Sequence, residues 1–251
     1  MTDRARRALV VRHHPEDHPG LVGEALARRG WAIDVVMMDE SSPTPALDGY
    51  DLLVVLGSSH SVYDPAVEEA WFGRELGLLG DADGRGLPVF GICFGAQALC
   101  RYFGGRVARS ERPEVGWFGV EDVGEPRVGE GPWFEYHFDA CDLPEVAEVW
   151  ARNENAVQAF AIGRHVGVQF HPEIDERQLA GWMAAGGDAD ARDLGLDPAA
   201  LLARTAAETP ASRERVDALV GHVLERAFAP ALTGTPAAGS MADGGQKGGR
   251  A

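Results

Sequence analysis

Apolar residues along this chain fall either in short continuous runs or at helical spacing. Ala8-Leu9-Val10-Val11 predicts a first strand that ends at Arg12-His13-His14-Pro15. From Gly20 to Arg29, the residues Leu21, Val22, Ala25 and Leu26 share one helical face, and Gly30 supplies a stop. Trp31 to Met38 predicts a second strand. After the turn-rich residues 39–49, Leu52-Leu53-Val54-Val55-Leu56 is an unbroken apolar run, the pattern of a strand buried on both faces. A helix is expected near Val67 to Leu79, and another strand at Val89-Phe90-Gly91-Ile92. Strands alternating with helices predict an α/β fold with a mainly parallel central sheet flanked by helices. Ligands of such sheets collect at the carboxyl ends of the strands.

Beyond Gly104-Gly105 the pattern weakens. Residues 106–128 alternate loosely and read as short strands or hairpins. Strands follow near Glu148–Arg152, Ala156–Ile162 and Val166–Phe170. From Asp175 the spacing turns helical, with Leu179, Trp182 and Met183, then Leu201 and Leu202, then Val216, Leu219, Val220, Val223 and Leu224. Residues 230–251 are rich in Gly, Ala, Ser and Pro and predict a disordered tail. The expected division is an α/β domain over 1–175, a helical extension packed on it over 176–229, and the tail over 230–251.

Composition narrows the function classes. At 251 residues, 45% of them hydrophobic and 25% charged, the chain can bury a full core. A formal net charge of −16 argues against nucleic acid and anionic membrane as partners. Three cysteines at irregular spacing form neither a disulfide framework nor a paired metal motif, and they fit a reducing cytoplasm. The basic start, Met1 to Arg7, leads into an apolar run of only Ala8 to Val11, too short for a secretory signal. No stretch is long enough to span a bilayer, so a cytoplasmic protein is expected. His13, His14, His60 and His165 have no metal-ligand company, and neither a metal nor a cofactor is expected.

The candidate chemistry starts at Cys93. A cysteine between Ile92 and Phe94 reads by itself as a core residue. Here, however, the apolar run at Val89–Ile92 gives way to helical spacing through Ala96, Leu99, Cys100 and Phe103, with Gly91 and Gly95 on either side of the switch. The glycines permit a tight, strained turn that projects the side chain into a cleft, beside unpaired amides and the positive end of a helix. That is the construction of a nucleophile elbow with Cys in place of Ser. A second stretch, Gly167-Val168-Gln169-Phe170-His171-Pro172-Glu173, puts a histidine at the end of another apolar strand. Pro172 fixes a turn, and Glu173 is spaced to bond one imidazole nitrogen while the other faces a thiol. A third, Leu56-Gly57-Ser58-Ser59-His60, is a small-residue turn after a strand, able to aim backbone N–H groups at a developing oxyanion.

Gly91-Ile92-Cys93-Phe94-Gly95-Ala96-Gln97 and Gly167-Val168-Gln169-Phe170-His171-Pro172-Glu173 resemble the two signatures of class I glutamine amidotransferases. The likeness is greatest to stand-alone domains related to the glutaminase part of GMP synthase, and it runs from about Ala8 to Asp175. The resemblance implies a flavodoxin-like α/β fold, to which the C-terminal helical extension is added. It also implies a Cys-His-Glu triad that hydrolyses the glutamine side-chain amide through a γ-glutamyl thioester and passes ammonia to an acceptor. In those terms Cys93 is the nucleophile, His171 the base and Glu173 its orienter. The backbone N–H groups of Ser58 and Phe94 form the oxyanion hole. Gly57 and Gln97 border the bound glutamine, as does the backbone around His137 and Phe138.

Two departures stand out. The family's loop usually reads Gly-Gly-Pro, whereas Ser58 and Ser59 follow Gly57 here, and a positive φ at Ser58 would be strained. The segment Trp133–Asp139 resembles the pocket-lining stretch but reads equally as a packed aromatic strand. Cys100 and Cys141 read as structural or incidental. No Gly-rich phosphate loop marks an ammonia-consuming half. Three functions stay open: a glutaminase feeding a separate synthetase chain, a free-standing hydrolase of γ-glutamyl amides or peptides, and a non-catalytic regulatory module. The intact Cys93, His171 and Glu173 count against the third.

Overall fold

Burial on both faces is what the central strands of this protein share, and it explains their unbroken apolar sequences. The computed structural model describes residues 4–230; the tail expected at 230–251 falls, past Pro230, outside the described residues. Strands β1 (Arg7–Arg12), β2 (Ala32–Met37), β3 (Leu52–Val55) and β4 (Val89–Ile92) begin the sheet. They alternate with helices α1 (Gly20–Arg28), the one-turn α2 (Pro65–Val67) and α3 (Gly73–Gly84). The helix expected from Val67 to Leu79 is thus longer at both ends. Asp64 caps it by accepting from the Ala66 amide, Pro65 takes the first position, and a wider turn at Glu68–Phe72 carries it into α3.

Helix α4 (Phe94–Tyr102) follows β4, and then come β5 (Arg106–Gly119), β6 (Glu121–Asp122), β7 (Pro132–Asp142), β8 (Glu148–Arg152), β9 (Val157–Ile162) and β10 (His165–Val168). The main sheet has the order β2-β1-β3-β4-β10-β9-β8-β6. Its first five strands are parallel, and β9, β8 and β6 extend it antiparallel. Residues of β1 alternate between two cores. Ala8 and Val10 pack with Leu21 and Leu26 of α1, whereas Leu9 and Val11 pack with Trp71, Phe72 and Leu78 on the other face.

Register places the functional loops together. Val55 of β3 pairs with Gly91 of β4, and Ile92 pairs with Val168 of β10. Gly57, Cys93 and Gln169 therefore leave the sheet side by side, at the carboxyl ends of three adjacent strands.

Residues 106–128 differ from the expectation of short strands or hairpins. One long strand, β5, pairs with β7 in a separate two-stranded ribbon. The register shifts between Arg109 and Glu114, where Pro113 cannot donate to the ladder, and this bulge breaks the alternation that would have marked a single strand. The ribbon's Val115, Trp117 and Phe134 pack on Ile174 and on Leu179, Met183 and Leu201 of the C-terminal segment.

That segment comprises α5 (Glu176–Trp182), α6 (Asp188–Asp193) and α7 (Pro198–Phe228). Asp175 and Asp197 cap α5 and α7 through their side chains. Helix α7 lays Val216, Leu219, Val220 and Val223 into the core beside α1. Truncating Leu219 to Ala is of the kind that costs about 2–5 kcal/mol. Arg28 at the end of α1 and Arg29 just after it bind Asp217 of α7 at 2.9 and 2.7 Å along the edge of this contact.

Candidate active site

Cys93 is the only residue other than glycine with a positive φ among the described residues, at φ 51° and ψ −105°. Such a backbone is unfavourable for a residue with a Cβ, and it persists because its surroundings fix it. Its N–H donates to the Val168 carbonyl at 2.8 Å, and its carbonyl accepts from Gln97 N–H at 3.0 Å, opening α4. The flanking glycines are required by contact. A Cβ on Gly95 would lie 2.2 Å from the Val55 carbonyl oxygen, and one on Gly91 would lie 2.4 Å from that of Gly95. The sharp strand-to-helix turn expected from sequence is present, with Cys93 5% exposed at a helix N-terminus.

His171 begins the turn after β10. Its N–H donates to the Phe134 carbonyl at 2.7 Å, tying the turn to the ribbon. Its Nδ1 is 2.7 Å from Glu173 Oε1, while its Nε2 is buried without a hydrogen-bond partner. The edge of Trp182 from α5 meets the ring with centroids 4.9 Å apart. Burial disfavours the imidazolium, but the charge of Glu173 and the nearby sulfur of Cys93 outweigh it, so His171 is held well above its ordinary pKa. The Glu173 contact holds the direction of the ring and leaves its other nitrogen without a hydrogen-bond partner.

Gly57 lies where these two groups meet. A Cβ there would stand 2.9 Å from His171 Cε1 and 3.7 Å from the Cys93 Cβ. Ser58 follows without the positive φ that its sequence raised as a source of strain. Its hydroxyl accepts from the His60 N–H at 3.2 Å, closing a short turn. Cys93, His171, Glu173, Gly57 and Phe94 thus converge, and a sulfur, an imidazole with one unpartnered nitrogen, and helix-terminal amides share one buried corner.

Residues 20–181 match the family described as glutamine amidotransferase class-I. This chain belongs to that family. Among its relatives, GMP synthase [glutamine-hydrolyzing] of Thermomicrobium roseum is 36% identical over 137 residues, which cover 51% of this chain and 24% of that protein. The enzyme of the same name from Thermosipho melanesiensis is 28% identical over 182 residues, 69% of this chain and 34% of that one. The chain therefore spans only a quarter to a third of the length of these two relatives. Among solved structures, a glutamine amidotransferase from Thermotoga maritima superposes with a TM-score of 0.79 at 26% identity, covering 90% of this chain and all of that one. One from Methylobacillus flagellatus gives a TM-score of 0.77 at 21% identity, with 93% and 100% covered, and speaks for the fold.

The amidotransferase fold places the remaining expected residues unevenly. Gln97 is buried on the first turn of α4, and its side-chain amide donates to Gln169 Oε1 at 3.2 Å. Gln169 Nε2 in turn approaches Cys93 Sγ at 3.6 Å, so Gln97 reaches the sulfur through a neighbour. In the ribbon, the Tyr136 carbonyl comes within 4.0 Å of the sulfur. The imidazole of His137 turns inward, with Nδ1 2.9 Å from the Asp139 carbonyl and Nε2 3.1 Å from Glu114 and 3.3 Å from Glu135. Phe138 lies under the guanidinium of Arg109 and near Tyr136.

Trp182, Glu114 and Glu135 border the site without a functional signal of their own in the sequence. Trp182 donates its indole N–H to Asp17 at 2.9 Å and stacks on Tyr136, forming a wall over His171. Glu114, Glu135 and His137 each offer one atom within 4.8 Å of the others, the spacing of a metal set. The donor chemistry favours an ion-pair network instead. Asn153, Asn155 and Gln158 already donate to the Glu114 carboxylate at 2.7, 3.0 and 2.9 Å. Burial acts against the His137 imidazolium, but Glu114 and Glu135 prevail and raise its pKa to about 10. Among the described residues no helix is long and apolar enough to cross a membrane.

Proposed function

We propose that this amidotransferase domain hydrolyses the side-chain amide of L-glutamine. Cys93 Sγ attacks the amide carbon while His171 Nε2 holds the sulfur's proton. The C–N bond then breaks as that proton passes to the leaving nitrogen, releasing ammonia and leaving a γ-glutamyl thioester on Cys93. Water, deprotonated by the same nitrogen, cleaves the thioester to glutamate and restores the thiol. Glu173 keeps Nδ1–H oriented and stabilises the imidazolium, and the N–H groups of Ser58 and Phe94 receive the oxyanion. The chemistry requires no metal or cofactor. Gly57, Gln97 and the backbone around His137 and Phe138 border the glutamine.

The observation that carries this reading is the strained φ of Cys93 beside a histidine with one nitrogen bound to Glu173 and the other unengaged.

Residues 1–175 supply this chemistry, and 176–229 act as an extension whose Trp182 closes over the base. Ammonia passes to a separate synthetase chain. The relatives named GMP synthase [glutamine-hydrolyzing] support that partner. A cytoplasmic setting suits the three free cysteines.

Incubation with glutamine and with a panel of γ-glutamyl amines tests the reading. Ammonia release that disappears in Cys93→Ala and favours glutamine supports it. Faster release from γ-glutamyl amines would make the protein a γ-glutamyl amide hydrolase using the same triad. Failure of a glutamine-like electrophile to label Cys93 would remove the enzymatic reading altogether.

A further inference from the structure

A second histidine stands at the end of a central strand, opposite the base. His13 follows β1 directly, and its side chain and that of Glu75 from α3 are 1% and 0% exposed. Its Nδ1 is 2.7 Å from the Gly57 carbonyl oxygen, and its Nε2 is 2.7 Å from Glu75 Oε2. The ring lies between Trp71 and Phe94, with centroids 5.0 Å from each. A carbonyl oxygen only accepts, so Nδ1 carries a proton and His13 is the donor. Burial opposes the imidazolium, yet Glu75 and the Gly57 carbonyl outweigh it and raise the His13 pKa above its ordinary value. Glu75 Oε1 has no partner, which leaves this buried carboxylate serving His13 alone. Burying such a pair adds little to stability by itself. The reason for keeping it is found in what the pair holds.

We propose that His13, backed by Glu75, is a positioning residue that latches the Gly57–Ser58 peptide so that the Ser58 N–H faces the reacting carbonyl. No peptide among the described residues is cis, so the Gly57 C=O and the Ser58 N–H point in opposite directions across one planar group. Binding the carbonyl to His13 turns the N–H away from His13. Among the described residues that N–H donates to no protein atom. A latch is needed because residue 57 must be glycine where it passes His171, and glycine is the residue whose flanking peptides rotate most readily. The same imidazole packs on Phe94, whose N–H is the other oxyanion donor, so one ring braces both halves of the anion site.

This inference rests on the amide-hydrolysis reading, and wild-type turnover of glutamine tests that reading first. The latch is tested by His13→Leu and by His13→Asn, whose amide nitrogen takes the place of Nδ1. Three quantities are compared: kcat, KM for glutamine, and alkylation of Cys93 by iodoacetamide, which needs a reactive sulfur but no oxyanion donor. His13→Leu is expected to lower kcat about 10- to 100-fold, with KM and alkylation within about threefold of wild type, as for a weakened oxyanion donor. His13→Asn recovers most of the loss. Unchanged kcat in folded His13→Leu, alkylation falling in step with kcat, or no recovery in His13→Asn would each overturn the latch. If wild type releases no ammonia, the hydrolysis reading fails separately. The latch is then decided by the Ser58 amide resonance, which must move in His13→Leu and return in His13→Asn.

Discussion

Two buried histidine–carboxylate clusters lie on either side of Cys93, and they differ in one respect that decides their chemistry. At the end of β10, His171 gives Nδ1 to Glu173 and keeps Nε2 unengaged beside the sulfur. In the ribbon, His137 has both nitrogens occupied, one by the Asp139 carbonyl and the other by Glu114 and Glu135. Both rings are almost wholly buried and both are raised in pKa by neighbouring carboxylates that outweigh desolvation. Burial, charge pairing and a perturbed pKa are therefore shared by both rings, and the unengaged nitrogen is what sets His171 apart as the proposed base. The ribbon cluster holds β7 against β5 and β9, and through the Phe134 and Tyr136 carbonyls it positions one wall of the site.

Substitutions that exchange the roles of the clusters should break this comparison. The largest effect is expected at the elbow: Cys93→Ala or His171→Ala should reduce ammonia release to background, a loss on the order of 10⁶-fold as for other triads, with the melting temperature nearly unchanged in Cys93→Ala and lowered in His171→Ala, which leaves the buried Glu173 carboxylate unpaired. Glu173→Gln should lower kcat by about 10²- to 10⁴-fold with little change in KM. Removing the carboxylate charge also lowers the His171 pKa, so the pH profile of the residual activity should shift toward lower pH.

In the ribbon the effects should fall on stability. Glu114→Ala removes one of the two carboxylates paired with the buried imidazolium, together with the acceptor of Asn153, Asn155 and Gln158, and should cost about 3–5 kcal/mol in urea denaturation, while Cys93 in the folded fraction still reacts with a glutamine-like electrophile. A pKa for His137 raised to about 10 has a definite sign. The proton is bound more tightly in the folded state, so the contribution is full below about pH 6.5 and is lost as pH rises toward 10. Wild-type stability should decline across that window, and Glu114→Ala should flatten the decline. Smallest of all, Asp217→Ala removes a half-exposed link between α1 and α7 and should cost below about 1 kcal/mol.

The two regions also differ in how openly the sequence declares them. Strands β1, β3 and β4 are short apolar runs because both of their faces are covered, and the elbow follows from the glycines around Cys93. In the ribbon, Trp133–Asp139 reads as an aromatic strand and lies within β7, whereas the single long β5 is masked by its own chemistry and by that of its partner. Glu114, Glu135, His137 and Asp139 are buried, and polar residues on an inward face erase the alternation that marks a strand. The bulge at Arg109–Glu114 then breaks its length. His13 and Glu75 lie 62 positions apart in sequence and look ordinary singly. The one available signal was that His13, like His171, ends a parallel strand on the side where this fold presents its site. Trp182 was legible as an apolar helical residue, but its contact with His171 depends on how α5 folds back.

The central claim is that Cys93 carries the γ-glutamyl group and that His171, with its free nitrogen, turns it over. Acid quenching of Glu173→Gln after mixing with glutamine, followed by mass spectrometry of the Cys93 peptide, tests this most directly. A γ-glutamyl adduct on Cys93 that appears in step with the first ammonia released is the predicted result. Ammonia released with no adduct on Cys93, or with the adduct on Cys100 or Cys141, would contradict it.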